Sequence, residues 1–135
     1  MYQTAIISDI HDWHTDKIEY FLKKNGCTVT RLKFGDIRLK FCGRKKNFFN
    51  KNLQKLDAVW VRFLNGQSLE EITTKLTYLH LLDNLNIYIH NSALTIEKTV
   101  DKVRTTGLLK INGILSPDTD IWIGEKKKRI ITNNS

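Results

Sequence analysis

Short runs of apolar residues alternate along this chain with longer segments in which apolar residues recur every three or four positions. Residues 3–8 (QTAIIS), 56–64 (LDAVWVRFL) and 87–90 (IYIH) predict buried β-strands, and the alternating stretch 28–32 (TVTRL) predicts a half-buried one. The small and β-branched residues of the first run suit the inside of a sheet that is covered on both faces.

Two segments between these runs carry the helical period. The first is expected to begin at a cap formed by Thr15 or Asp16 and to end at the Asn-Gly pair at 25–26, which tolerates the left-handed conformation of a helix end. The second begins with a capping box formed by Ser68 and Glu71. Its apolar side chains form one stripe, which consists of Leu69, Ile72, Leu76, Leu79 and Leu82.

A third helical pattern follows the turn formed by Asn91 and Ser92. This helix is predicted to run through Asp101 and Lys102 and to end at the Asn-Gly pair at 112–113. Strands and helices therefore alternate along most of the chain. This order predicts an α/β fold with a small, open, mostly parallel sheet and helices on both faces, which is a Rossmann-like lobe.

The domain organisation follows from the length and from the end of this alternation. Residues 1–116 are expected to form one α/β domain, and 117–135 to open a second one with a hairpin within 121–132. Between the second and third strands the pattern is irregular, with a short strand expected at 39–42 and a return at 48–49.

Composition narrows the classes of protein. A hydrophobic content of 41% with one proline and seven glycines is typical of a folded chain. No apolar run of about 18 residues is present, and the start lacks the pattern of a signal peptide, so a cytoplasmic protein without a membrane span is expected. Cys27 and Cys42 are too few for a disulfide framework, and both are interpreted as reduced and structural.

The net charge of +8 is distributed unevenly. A second basic run occupies 126–129, and the main cluster consists of Arg38, Lys40, Arg44, Lys45, Lys46, Lys51 and Lys55. The plain interpretation is a solvated face and a hairpin tip. Because Phe41, Phe48 and Phe49 are interleaved among these cations, a module that binds a nucleic-acid backbone is an alternative.

Polar residues at the ends of the predicted strands are the candidate binding residues. In an open α/β sheet, ligands bind at the carboxyl ends of the strands, where Asp9, His11, Arg62, Asn91 and Ser92 stand. Arg62 is the most informative, since a charge that ends an apolar run must pair or bind an anion, and its fork matches a carboxylate or a phosphate. A salt bridge with a local acid such as Asp57 or Asp9 is the competing interpretation.

The string SDIH, which places Asp9 and His11 after the first strand, also resembles the first metal motif of calcineurin-like metallophosphoesterases. In that family an aspartate and a histidine help to hold two metal ions, and the Gly-Asp pair at 35–36 would be the second motif. The family's Gly-Asn-His-Glu/Asp element and its later histidines have no counterpart here. No metal site is therefore predicted, and this function is kept as an alternative.

A second resemblance covers more of the chain and is strongest over 56–119. Its features, in order, are a strand ending in Arg62, a loop and helix, the turn Asn91-Ser92, Glu97, the pair Asp101-Lys102, Gly113, and Pro117 with Thr119. This order resembles the junction between the pre-ATP-grasp domain and the catalytic core in RimK-type ATP-grasp carboxylate–amine ligases. Within that family the sequence looks closest to the branch that adds glutamate, as tetrahydromethanopterin:glutamate ligases and ribosomal-protein glutamate ligases do.

The resemblance implies a reaction and roles for several residues. ATP, with magnesium as cofactor, phosphorylates a substrate carboxylate, and an amine then attacks the acyl phosphate. Lys102 would contact ATP, and Arg62 with the loop 9–14, together with Asn91 and Ser92, would face the acceptor substrate. The resemblance assigns no catalytic residue to this chain.

The family's magnesium-binding carboxylates and its other ATP-binding residues lie in domains that follow this segment. The chain is therefore expected to be an N-terminal substrate-side domain that does not turn over ATP alone. The implied partners are the missing ATP-grasp domains, an acidic small-molecule or peptide acceptor and an amino acid. A homo-oligomer is left open by the sequence.

Overall fold

The computed structural model describes residues 1–44, 48–50, 52–121 and 124. The β-strands are β1 (Tyr2–Ser8), β2 (Cys27–Leu32), β3 (Ala58–Phe63) and β4 (Tyr88–His90). The α-helices are α1 (Trp13–Lys24), α2 (Leu69–Asn84), α3 (Ala93–Val100) and α4 (Lys102–Ile111). The chain divides into two compact units, Met1–Glu97 and Lys98–Ser135.

The four strands form one parallel sheet in the order β2-β1-β3-β4. This arrangement confirms the predicted α/β fold, and the four strands predicted at 3–8, 28–32, 56–64 and 87–90 are found within two residues of their expected bounds. Strand β1 lies in the interior of the sheet, and its residues from Thr4 to Ser8 are all buried. That burial explains its continuous apolar and small-residue sequence, because a strand covered on both faces has no polar side.

Helices lie on both faces of the sheet, as predicted. One face buries a cluster with α2 that contains Ala5, Ile7, Val59, Val61, Leu79, Leu82 and Ile89. On the other face Trp60 of β3 borders an apolar groove of about 360 Å³ with Ile18 and Leu22 of α1. The connections through α1 and α2 cross the sheet in opposite directions, and right-handed crossovers then place the two helices on opposite faces.

Residues 33–57 connect β2 to β3, and we call this segment the β2–β3 connection. Its described part, 33–44, 48–50 and 52–57, contains no α-helix. It contains two short 3-10 helices, Phe34–Asp36 and Leu53–Lys55, and a single antiparallel bridge between Leu39 and Phe49. The short strand expected at 39–42 is therefore reduced to one paired residue among the described ones. The connection is nevertheless part of the core, since it buries Phe34, Ile37, Phe49 and Leu53 in the α2-side cluster.

The cap of α1 lies earlier than the sequence indicated. Asp12 is the N-cap, and its carboxylate accepts a hydrogen bond from the Thr15 amide at 3.1 Å. The Thr15 hydroxyl in turn accepts from the Asp12 amide at 2.8 Å. The prediction of a cap at Thr15 or Asp16 was wrong because Thr15 is the third helical residue of a capping box. The cap of α2 at Ser68 is confirmed.

The third predicted helix is two helices in the structure. Asp101 leaves the helical conformation, with φ −83° and ψ 98°, and its carboxylate accepts from the Arg104 amide at 3.0 Å. It therefore caps α4, in which Lys102 is the first residue, and the prediction of one helix running through both residues was wrong. Asn112 caps the end of α4, as the Asn-Gly pair predicted. The hairpin expected within 121–132 falls almost wholly outside the described residues.

Cys27 and Cys42 are both free thiols, and neither forms a disulfide. Cys42 is exposed, which does not fit the structural role that the sequence suggested for it. Within the described ranges, no helix is both long enough and apolar enough to cross a bilayer.

Candidate functional site

The carboxyl ends of β1 and β3 meet at the switch point of the sheet, from which the chain winds towards opposite edges. Two hydrogen bonds join the loops that leave these strands. The Asp9 amide donates to the Phe63 carbonyl at 3.1 Å, and the Asn65 amide donates to Asp9 Oδ2 at 2.9 Å. The crevice outside such a switch point is where open α/β sheets bind ligands.

Lys75 of α2 is the central cation on the α2 side of this edge. Its Nζ donates to Asp9 Oδ2 at 2.8 Å and to the Asn65 carbonyl, and it lies 2.7 Å from Glu71 Oε1. Burial alone would lower the pKa of Lys75, but the hydrogen bonds that its ammonium donates to Asp9 and Glu71 outweigh this effect and raise that pKa. The ammonium is thus charged and fully engaged, with a side chain only 12% exposed.

A cavity of about 490 Å³ opens beside this cluster. Its lining residues are Asp9, Phe34, Gly35, Glu70, Glu71, Thr74, Lys75 and Tyr78. Three of these side chains are carboxylates and one is a cation, so the lining is net negative at neutral pH. The carboxylate of Asp9 holds the two loops and α2 together, and its predicted role towards an acceptor substrate stays a prediction.

Arg62 lies on the α1 side of the same edge. Its Nη2 is 3.6 Å from Asp12 Oδ2, which is longer than a good hydrogen bond, and its side chain is 33% exposed. The structure thus gives Arg62 a long salt bridge, but the partner it shows is Asp12, whereas the sequence suggested Asp9 or Asp57. Asp12 is mainly occupied elsewhere, because the Thr15 amide and then His14 lower its pKa.

The remaining candidates of the first unit follow β1 and β4. The Nδ1 atom of His11 is buried and has no hydrogen-bond partner among the described residues. The Ser92 hydroxyl accepts from the Thr95 amide at 3.2 Å and so caps α3. His90, which precedes Asn91, packs its ring against Trp60 with a centroid distance of 4.3 Å. The α1 side of the edge therefore presents Arg62 and His11 as its less engaged polar groups.

Lys102 belongs to the second unit. It is exposed, and its Nζ donates to the Thr99 carbonyl at 3.4 Å, near the upper limit for a hydrogen bond. Because Asp101 fixes the start of α4, the ammonium is carried by the first helical residue, where unpaired backbone amides also favour an anion.

Two residues of the metallophosphoesterase alternative have other partners in the structure. The Asp9 carboxylate is bound by the Lys75 ammonium, and the Asp36 carboxylate accepts from the Lys33 amide at 2.8 Å. Across the part of the chain that the structure describes, no three His, Cys, Asp or Glu side chains are grouped to hold a metal ion.

Sequence reasoning missed Lys75, although it is the residue that organises the α2 side of the edge. The available signal was the Glu71-to-Lys75 spacing of four residues on one helix, which commonly forms an ion pair. The partner Asp9 is 66 residues away in sequence, and only the fold brings it near.

Neither a scan of protein-family models nor a search of curated protein sequences finds a match to this chain.

Proposed function

We propose that this chain is the substrate-side lobe of an ATP-dependent carboxylate–amine ligase of the RimK-type ATP-grasp class. The observation that carries the proposal is the loosely held guanidinium of Arg62 beside the switch point of a small parallel sheet. The order of residues from the Asn91-Ser92 turn to Thr119, with its Asp101-Lys102 pair, supports the same class.

In this proposal Arg62 binds the carboxylate of the acceptor acid. A guanidinium can donate two parallel hydrogen bonds to a carboxylate, which fixes its orientation as well as its charge. ATP phosphorylates the bound carboxylate, and an amine attacks the acyl carbon and displaces phosphate to leave an amide. His11 borders the same loop and faces the acceptor, whereas Asp9 and Ser92 hold the loops in place.

Lys102 contacts the phosphates of ATP in this proposal, because phosphoryl transfer is promoted mainly by positioning and by neutralising charge. The resemblance assigns magnesium to carboxylates of the ATP-grasp domains that work with this lobe in the proposal. Glutamate as the added amino acid and a cytoplasmic location, where ATP is supplied, complete the proposal.

We expect Arg62→Lys to weaken the binding of N-acetylglutamate by about tenfold, because the charge is kept but the bidentate geometry is lost. Titrations followed by amide NMR shifts would measure the dissociation constant for the chain and its variant. Arg44→Lys is the matched control, since Arg44 is an exposed arginine outside the site. Equal affinities of the two variants and the parent chain would show that Arg62 does not bind the acid.

We expect Lys102→Ala to weaken the binding of MgATP by about tenfold through loss of one charge-assisted contact. The same NMR titration measures this, with shifts anticipated in the amides of 101–105. Lys110→Ala is the control, because Lys110 lies at the other end of α4 with a side chain 49% exposed. If the acid bound through Arg62 while MgATP bound independently of Lys102, the lobe would be an acid-binding module outside the ligase class.

A further inference from the structure

Most of the net charge of this chain lies within the β2–β3 connection. Residues 37–56 contain seven of the 22 Lys and Arg residues and none of the 14 Asp and Glu residues. The segment therefore accounts for +7 of the formal net charge of +8, and the rest of the chain is almost neutral. Because these 20 residues carry only positive charges, they create a local positive potential that the rest of the chain does not share.

The described basic residues at the start of this segment lack acidic partners within the described ranges. In the described ranges, cations such as Lys23, Arg31 and Lys75 lie within 4.0 Å of a carboxylate. Arg38, Lys40 and Arg44 are exposed and form no ion pair with any described residue. Among the residues that the structure describes, no carboxylate therefore offsets their charges.

The backbone explains why these side chains point outwards. Leu39 pairs with Phe49, which is buried in the core, and the Lys40 amide donates to the Phe48 carbonyl at 2.8 Å. Arg38 and Lys40 flank the inward Leu39 and so occupy the opposite, solvated side. The connection is thus anchored by its apolar positions and displays its basic ones.

An exposed aromatic side chain lies among these cations. Phe41 is 69% exposed, and its ring packs against Phe48 with a centroid distance of 5.2 Å and an interplanar angle of 36°. The inner edge of the Phe41 ring is supported, while most of its surface is open to a ligand. We name the set of Arg38, Lys40, Phe41 and Arg44 the basic face.

We propose that the basic face binds single-stranded nucleic acid, a function that goes beyond the ligase role and does not depend on it. Arg38, Lys40 and Arg44 neutralise successive phosphates, and a base stacks on the open side of Phe41. Cations with an aromatic platform and no acidic residues are the combination that binds single strands without sequence preference. An acidic peptide would use the same charges, but it has no base to stack on Phe41.

We expect the chain to bind a fluorescein-labelled oligouridine of about 20 nucleotides with an affinity that falls steeply with salt. The triple variant Arg38→Gln, Lys40→Gln and Arg44→Gln should bind at least about tenfold more weakly in fluorescence anisotropy at low salt. The slope of log affinity against log salt concentration should also decrease by about two, since each phosphate contact on a single strand contributes about 0.7.

A matched triple variant tests whether position or only net charge matters. This control variant combines Lys17→Gln, Lys24→Gln and Lys110→Gln. It removes the same amount of charge from exposed lysines of α1 and α4. This control should lose less than about threefold in affinity at the same salt concentration. Equal losses in the two triple variants would overturn the proposal, as would the absence of oligouridine binding at low salt.

Phe41→Leu separates a nucleic-acid surface from one for acidic peptides. Leucine keeps an apolar side chain at an exposed position but removes the aromatic platform, so oligouridine binding should weaken by about tenfold. Binding of polyglutamate of matched charge should be weaker than that of oligouridine and unaffected by this substitution. If polyglutamate bound as tightly and Phe41→Leu changed neither affinity, the surface would be one for acidic peptides and the proposal would be wrong.

Discussion

Leu79→Ala should lower the free energy of unfolding by about 3 kcal/mol, which is a large part of the stability of a domain of this size. Leu79 lies on α2, is 0% exposed and belongs to the cluster between α2 and the sheet. Removing three buried carbon atoms loses their transfer free energy and leaves a cavity, because rigid strands on one side cannot move in to fill it.

Urea unfolding followed by far-UV circular dichroism would measure this change. Leu69→Ala is the control on the same helix, because Leu69 is 72% exposed and alanine is an equally good helix former. We expect the control to change the free energy of unfolding by less than about 0.5 kcal/mol. A similar loss in both variants would mean that α2 does not pack on the sheet through the Leu79 side.

Lys75→Met should lower the free energy of unfolding by about 2–3 kcal/mol, mainly because it leaves the Asp9 carboxylate without its cation. The Asp9 side chain is only 17% exposed, so water restores little of the lost interaction. Methionine preserves much of the apolar stem of lysine, which confines the change to the charge. The double variant Lys75→Met with Asp9→Asn should recover part of the loss, since no unpaired charge remains.

The pH dependence gives this prediction a second readout. The pKa of Lys75 is raised by Asp9 and Glu71 despite its burial, so its ion pairs contribute fully below the unfolded-state pKa of lysine, about 10.4. That contribution is lost as the pH rises through the higher folded-state pKa. The parent chain should therefore lose more stability than Lys75→Met in this alkaline range. Parallel curves for the two proteins would contradict the assignment of the cluster as an ion-pair network.

The strands and the fold class were predictable because buried strands appear in the sequence as short apolar runs, and helices as apolar residues repeated every three or four positions. Strand β3, from Ala58 to Phe63, is apolar except for Arg62, and β1 is rich in apolar and small residues. Both sequences reflect a parallel sheet that is covered on both faces. Ser68 was predictable as a cap, since a serine three residues before a glutamate satisfies the first amides of a helix without help from distant residues.

The other features depended on contacts that the local sequence does not reveal. Asp12 and Asp101 both cap helices, but an aspartate within a helical pattern is equally consistent with an exposed helical position. Lys75 and Asp9 pair across the sheet edge only after the fold has formed. Asp9 and Arg62 lie at the carboxyl ends of β1 and β3, as their sequence positions predicted, whereas their separation onto the two sides of this edge required the structure.

Neighbouring residues of the β2–β3 connection differ in how strongly packing restricts their side chains. Phe34, Ile37, Phe49 and Leu53 are buried in the core, whereas Arg38 and Lys40 flank Leu39 with exposed side chains. Mutations could thus reverse or remove the charge of this segment during divergence without disturbing the scaffold. We therefore expect related chains to keep the spacing of the apolar residues in this segment but to differ widely in its net charge. The binding partner of the segment could then change in evolution without a change in the stability of the fold.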